Sequence, residues 1–254
     1  MNLFDISGKK VIFTGASGGL GKGMVEGMLE AGAEVVMLGS SSKSAAMAEE
    51  FRARGWKAYG LQCDLGDHEA LRRGFDEALD LLGGEINVLV NAAGIQRRHK
   101  SEDFPLEDWE EVLNVNLTAS FLLCRMAGKQ MIRQGHGGKI INIASMLSFF
   151  GGFTVPAYAA SKGGVAQLTK ALCNEWAQYG ITVNAIAPGY MDTPMNAALT
   201  DPSNPRFKEI TDRIPAGRWG TPEDMKGLTI FLASAASDYI NGAVIPCDGG
   251  YLVK

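Results

Sequence analysis

Short apolar runs alternate with longer amphipathic runs along most of this chain, and that alternation leaves few architectures open. Residues 10–14, 34–38, 57–61, 87–90, 139–143 and 181–186 read as strands, and residues 243–245 as a last one. Helical periodicity fills the intervals at 20–31, 44–54, 69–82, 106–134 (with a break before Asn114) and 157–179. Thr221-Pro222-Glu223 opens another helix, with Thr at the cap and Pro in the first turn. Strands that are apolar almost throughout suit a sheet covered on both faces. Strand–helix alternation then predicts an α/β fold, a doubly wound parallel sheet of about seven strands with right-handed crossovers. No linker divides the chain, so residues 1–254 are expected to form a single domain. The most irregular stretch, 192–218, holds four prolines and follows a strand end, where open α/β sheets bind ligands. It is expected to be a substrate lid.

Composition removes several functions. Lys plus Arg is 24 against 28 Asp plus Glu, a net charge of −4, which gives no footprint for nucleic acid. No apolar stretch is long enough for a membrane helix. The N-terminal stretch lacks a basic segment followed by an apolar one, so no secretory leader is expected and a cytoplasmic setting is. Cys63, Cys124, Cys173 and Cys247 form no C-x-x-C pair, and none of the three histidines stands at ligand spacing from a cysteine, so no metal site is expected. Glycine is the outlier. Thirty-two in 254 residues is nearly twice ordinary usage, and they are clustered as tight turns and close backbone approaches require.

One cluster carries chemistry. Thr14-Gly15-Ala16-Ser17-Gly18-Gly19-Leu20-Gly21 follows the first strand and opens the first helix. Gly15 permits a tight turn, Gly19 lets the backbone approach a pyrophosphate, and Gly21 allows close helix–sheet packing. The helix N-terminus offers its free N–H groups to the anion. A second signal is Tyr158 with Lys162, four apart on one helix face. An ammonium beside a phenol favours the phenolate and lowers its pKa, as general acid–base work near neutrality needs. Ser145, just after a strand, places a hydroxyl where charge develops on a carbonyl oxygen.

The glycine spacing G-x-x-x-G-x-G resembles that of the short-chain dehydrogenase/reductase family, and the rest of the pattern follows in order. It comprises Asp64, Asn91-Ala92-Ala93-Gly94, Asn116, Ser145, Tyr158-Ala159-Ala160-Ser161-Lys162 and Pro188-Gly189, over essentially the whole chain. The resemblance implies a Rossmann-type domain binding NAD(H) or NADP(H), and a catalytic tetrad of Asn116, Ser145, Tyr158 and Lys162. Tyr158 would exchange the proton and Lys162 would tune it and hold the nicotinamide ribose. Ser145 would polarise the carbonyl, and Asn116 would anchor a water leading protons to solvent. Gly15, Ser17, Gly19, Leu20, Gly21, Asp64, Leu65, Asn91, Ala92, Gly94, Pro188, Gly189 and Thr193 would contact the cofactor, with Tyr158 and Lys162.

After the second strand stands Gly39-Ser40-Ser41-Ser42-Lys43, with neither a carboxylate for a ribose hydroxyl nor an arginine for a phosphate. The residues leave NAD and NADP both open; the branch the chain resembles points to NAD. Residues 137–162, 213–220 and 233–250 resemble bacterial sugar-acid oxidoreductases of uronate and pectin breakdown, which implies a small sugar-acid substrate. Arg97, Ser145, Tyr158 and Tyr190 are the substrate candidates, with Ser148, Arg218 and Arg98 behind them. The run Arg97-Arg98-His99-Lys100 reads equally well as a solvated basic loop. A 3-oxoacyl-carrier reductase and a non-catalytic dinucleotide sensor are the alternatives. A stripe of Arg125, Lys129 and Arg133 would serve the first, and the complete tetrad speaks against the second. The family also implies a homotetramer.

Overall fold

The computed structural model describes residues 2–254. Seven parallel strands form one sheet in the order β3-β2-β1-β4-β5-β6-β7. They are β1 (Lys10–Thr14), β2 (Glu34–Gly39), β3 (Ala58–Gln62), β4 (Val88–Asn91), β5 (Gly138–Ile143), β6 (Ile181–Pro188) and β7 (Val244–Cys247). Between them run α1 (Gly19–Glu30), α2 (Lys43–Ala53), α3 (His68–Leu81), α4 (Leu106–Leu113), α5 (Ala119–Gln134), α6 (Pro156–Trp176), α7 (Ala197–Thr200), α8 (Pro205–Arg213) and α9 (Pro222–Ala233).

Alternation along each strand builds two cores. In β1, Val11 and Phe13 face Met24, Met28 and Met225 of α1 and α9, while Ile12 faces Leu71, Phe75 and Leu123 of α3 and α5. In β2, Val35 and Met37 join the first group and Val36 and Leu38 the second. Both faces are therefore covered, which is why the strands read as unbroken apolar runs. Pro246 lies inside β7, an edge strand, where a missing N–H costs no ladder bond on the open side.

Two departures from the sequence reading matter for the site. The expected break before Asn114 is a wide π turn, Asn114–Thr118, that continues α4 into α5. Single π turns of this kind cluster at functional positions. The 192–218 excursion is also more regular than its prolines suggest, since it carries α7 and α8. Pro205 opens α8, with Asn204 accepting from the Arg206 N–H as its cap. Its two ends meet at a parallel bridge between Met191 and Gly220, with Asp192 N–H donating to Gly220 O at 2.8 Å.

The sheet order reverses between β1 and β4. Open α/β sheets bind ligands at such a point, outside the carboxyl ends of the strands. The glycine turn, Asp64, the Asn91–Gly94 run, Ser145 and Pro188-Gly189 lie at that edge, Tyr158 and Lys162 stand on α6, and Asn116 stands in the π turn between α4 and α5.

Candidate active site

A cavity of about 650 Å³ runs along the carboxyl edge of the sheet. Its walls include Gly15, Ser17, Gly19, Leu20 and Gly21 after β1, Asp64 and Leu65 after β3, and Ala92 and Gly94 after β4. Ser145 after β5, Pro188 and Gly189 of β6 and its end, and Thr193, Tyr158 and Lys162 complete the expected residues that line it.

The floor of the cradle is backbone packed on backbone. Gly15 has φ +75°, and a Cβ there would stand 2.6 Å from Ala93 Cα. A Cβ on Gly21 would stand 2.0 Å from Gly15 O. No side chain caps α1 and its first turn holds no acid, so its leading N–H groups face the cavity unclaimed. A dinucleotide diphosphate fits this arrangement of bare backbone, helix N-terminus and cavity size.

The catalytic end is braced by side chains. Ser145 caps a short turn, its Oγ accepting from Leu147 N–H at 3.1 Å, while its own N–H donates to Ser148 Oγ. Ser148 Oγ in turn donates to Lys162 O at 2.7 Å. Ser148, a weaker pocket candidate by sequence, thus bolts the Ser145 turn to α6 one helical turn beyond Tyr158. Lys162 is 3% exposed, and its Nζ donates to Ile143 O at 2.6 Å and stands 5.7 Å from the Tyr158 ring centre.

Burial sets the charges here. It pushes the Tyr158 phenol above its ordinary pKa, with the Ser145 hydroxyl pulling the other way. It lowers Lys162 to about 8. Desolvation is the dominant influence on the phenol and the Ser145 hydroxyl the one that counters it, so the net direction is upward rather than the lowering expected from an ammonium alone. The phenol is held in its proton-carrying form, as a proton donor requires.

Asn116 and Asn91 stand behind the walls. Asn116 is fully buried in the π turn. Its Oδ1 accepts from Ile95 N–H at 2.8 Å and its Nδ2 donates to Ile95 O and Ser161 Oγ, which pins the loop after β4 to α6. Asn91 donates to Asn142 Oδ1 at 2.9 Å, and Asn142 donates to Thr169 Oγ1, a buried chain joining β4, β5 and α6.

Of the substrate candidates, Ser145 and Tyr158 line both the large cavity and a smaller one beside it, of about 270 Å³, and Tyr190 lines the smaller. Arg97 lines neither. Its guanidinium pairs with Glu111 at 2.7 Å and reaches Asp108. Arg218 is held bidentately by Asp224 at 2.7 Å and also stands outside both cavities. Arg98 lines the smaller cavity, joined by residues the sequence reading passed over: Arg206, Glu209 and Arg213 of α8, and Tyr251. Their signal was spacing on one helix face, obscured by the surrounding prolines. Met195 and Asn196 are further wall residues of the large cavity not singled out by sequence, and Lys43, from the run after β2, lines it too.

The chain matches the short chain dehydrogenase model over residues 9–204. It belongs to that family. It is therefore an NAD(P)-dependent oxidoreductase acting on a hydroxyl group and its carbonyl counterpart. It is 46% identical, over 100% of its length and 99% of the relative's, to a 2-dehydro-3-deoxy-D-gluconate 5-dehydrogenase of Dickeya dadantii. A gluconate 5-dehydrogenase of Burkholderia cenocepacia, solved with NADP and tartrate, shares 40% identity with a TM-score of 0.94, over 100% of this chain and 98% of that one. A protein of Beutenbergia cavernae, provisionally named an NAD(P)-dependent gluconate 5-dehydrogenase and solved with NADP at low occupancy, shares 44% identity with a TM-score of 0.94 over all of both chains.

Proposed function

We propose that this short-chain dehydrogenase interconverts a keto sugar acid and its hydroxy acid, with 2-dehydro-3-deoxy-D-gluconate and its 5-keto form as the pair. The observation that carries the reading is the continuity of the two cavities at Ser145 and Tyr158. A carbonyl held there faces the dinucleotide cleft on one side and a polar, arginine-bearing space on the other. The 46% identity to a relative of that name supports the choice of substrate.

The bound dinucleotide supplies the hydride. The chain's own residues do the rest. Ser145 Oγ donates to the substrate oxygen and polarises the carbonyl as negative charge gathers there. Tyr158, kept protonated by burial, hands its proton to that oxygen. Lys162, charged below about pH 8, stabilises the phenolate left behind. Asn116 and Asn91 act as positioning residues, through Ile95 and the buried asparagine chain.

The same reading extends to the cofactor. Gly39 ends β2 and brings no side chain to that point, and the nearest group to it is the buried Ser44 hydroxyl. Ser40 and Lys43 line the cleft beside it. The site thus lacks a carboxylate to repel a 2′-phosphate and offers a cation to receive one. This favours NADP(H) over the NAD(H) that the sequence resemblance pointed to, in line with the NADP in the Burkholderia relative. A homotetramer in the cytoplasm is the setting the family suggests. No helix among the described residues is long and apolar enough to cross a membrane.

The test is the oxidation of NADPH and NADH, followed separately at 340 nm with the 5-keto acid as substrate. Rapid oxidation of NADPH is expected. Intact NADPH binding with no oxidation of either cofactor sinks the sugar-acid reading.

A further inference from the structure

The smaller cavity shares Ser145, Tyr158, Gly189, Met195 and Asn196 with the cofactor cleft. A molecule whose carbonyl lies against Ser145 and Tyr158 therefore extends into it. Three guanidiniums line it: Arg98 from the loop after β4, and Arg206 and Arg213 from α8. Glu209 is the one carboxylate. Positions 206, 209, 210 and 213 share one helix face, so α8 turns its buried Ile210 and both arginines the same way. Nearby arginines are already neutralised, Arg97 by Glu111 and Asp108 and Arg218 by Asp224. Arg98, Arg206 and Arg213 make no such pair among the described residues.

Arg213 is also the best positioned of the three. Its guanidinium carbon lies 4.3 Å over the ring of Tyr251. That ring is buried and packs on Tyr190 at 5.1 Å. Stacking fixes the plane of the guanidinium and leaves its edge N–H donors free for a planar, two-oxygen acceptor.

We infer that the smaller cavity is an acid-end pocket in which Arg213, flanked by Arg98 and Arg206, binds the carboxylate of the substrate. The inference rests on the sugar-acid reading but concerns what holds the acid rather than the reaction. A six-carbon acid reacting at carbon 5 carries its carboxylate four bonds away, which puts the two ends in the two adjoining spaces. The excursion that carries α8 is pinned at its ends by the Met191–Gly220 bridge, which holds the helix beside the cavity. A neutral sugar leaves the guanidiniums unpaired and is discriminated against.

Calorimetric titration of the NADPH-saturated protein with D-gluconate tests this, with D-glucitol as the carboxylate-free control; neither turns over with reduced cofactor. Gluconate is expected to bind at least about tenfold tighter than glucitol. Arg213→Ala should weaken gluconate by about tenfold to a hundredfold, the range for a hydrogen-bonded charge, and leave NADPH affinity unchanged. Arg213→Lys, which keeps charge and stem but not the fork, should show a loss of the same sense and serves if the alanine variant does not fold. Equal binding of the two ligands, or gluconate affinity unmoved in a folded Arg213 variant, overturns the inference. Gluconate binding without keto-acid turnover in the unaltered protein breaks the proposed reaction and leaves the pocket standing.

Discussion

The glycine cradle after β1 and the excursion beside the smaller cavity are built by opposite means. In the cradle, backbone touches backbone: Gly21 stands against Gly15 O and Gly15 against Ala93, with no room for a methyl group. In and beside the excursion, side chains do the work. Phe207 stacks on Trp219, Trp219 Nε1 donates to Thr211 Oγ1, and Tyr190, Trp219 and Tyr251 meet edge to face. A surface of fixed backbone suits a ligand part common to many enzymes, whereas an aromatic cluster beneath a helix of a surface excursion suits a part that differs between them.

The largest effect expected is that of Tyr158→Phe, at a residue outside the cradle. General acid catalysis contributes about 10²- to 10⁴-fold, and the variant should lose that much in kcat while binding NADPH with unchanged affinity. Stopped-flow single turnover, with cofactor fluorescence for binding, checks both. A loss of cofactor binding would instead make the tyrosine part of the cradle. Gly21→Ala comes next. Its methyl group would collide with a carbonyl that cannot move away, so the turn must open, at a cost of about 1–3 kcal/mol or more. Lower thermal stability and weakened NADPH binding are expected together. The same exchange at Gly227, inside α9, where a Cβ meets nothing within 4 Å, should leave NADPH binding unchanged and raise stability by about 0.5–1 kcal/mol.

The pH dependence separates the two regions as well. Lys162 titrates near 8, so kcat/KM for reduction should fall as pH rises through about 8, close to tenfold per unit well above it. Asp224 belongs to the stem of the excursion. The Arg218 guanidinium, followed by the Thr221 N–H, holds its carboxyl well below the usual range. A carboxyl with a depressed folded pKa stabilises the fold above its unfolded value near 4, and that contribution fades as pH falls below it. Thermal melts from pH 6 down to 3 should therefore show Asp224→Asn converging on the parent protein. A constant gap would mean that the pair does not anchor the stem.

The contrast also explains what could be read from the sequence. Chemistry that depends on short spacing was legible: the glycine turn, Tyr158 with Lys162 one helical turn on, and strand limits within a residue or two. Three things were not. The break expected before Asn114 is a π turn that carries the helix on, and a π turn has no distinctive composition. α8 was hidden by prolines that begin helices rather than end them. Arg97 and Arg98 are neighbours in the chain, yet one faces Glu111 and the other the smaller cavity, a difference that only the backbone direction after β4 decides. The burial that dominates at Tyr158 is not legible in the sequence either, because it depends on the whole fold.

The smallest effect expected lies in the loop that closes the substrate side from below. Thr154 has φ +61°, the one residue other than glycine with positive φ among those described. A β-branched residue is strained there. Its carbonyl accepts from His99 N–H at 3.0 Å, which ties the loop before α6 to the segment that carries Arg98. Thr154→Gly relieves the strain but adds freedom to the unfolded chain, so a net gain of about 1 kcal/mol or less is expected, read as a small rise in melting temperature. If the strain serves to hold Arg98 in place, the same variant should bind gluconate a few-fold more weakly and NADPH no differently. Higher stability with gluconate affinity unchanged would mean that the strained loop merely closes a turn. The side-chain positioning on the substrate side would then begin at α8 and Tyr251 and owe nothing to the loop before α6.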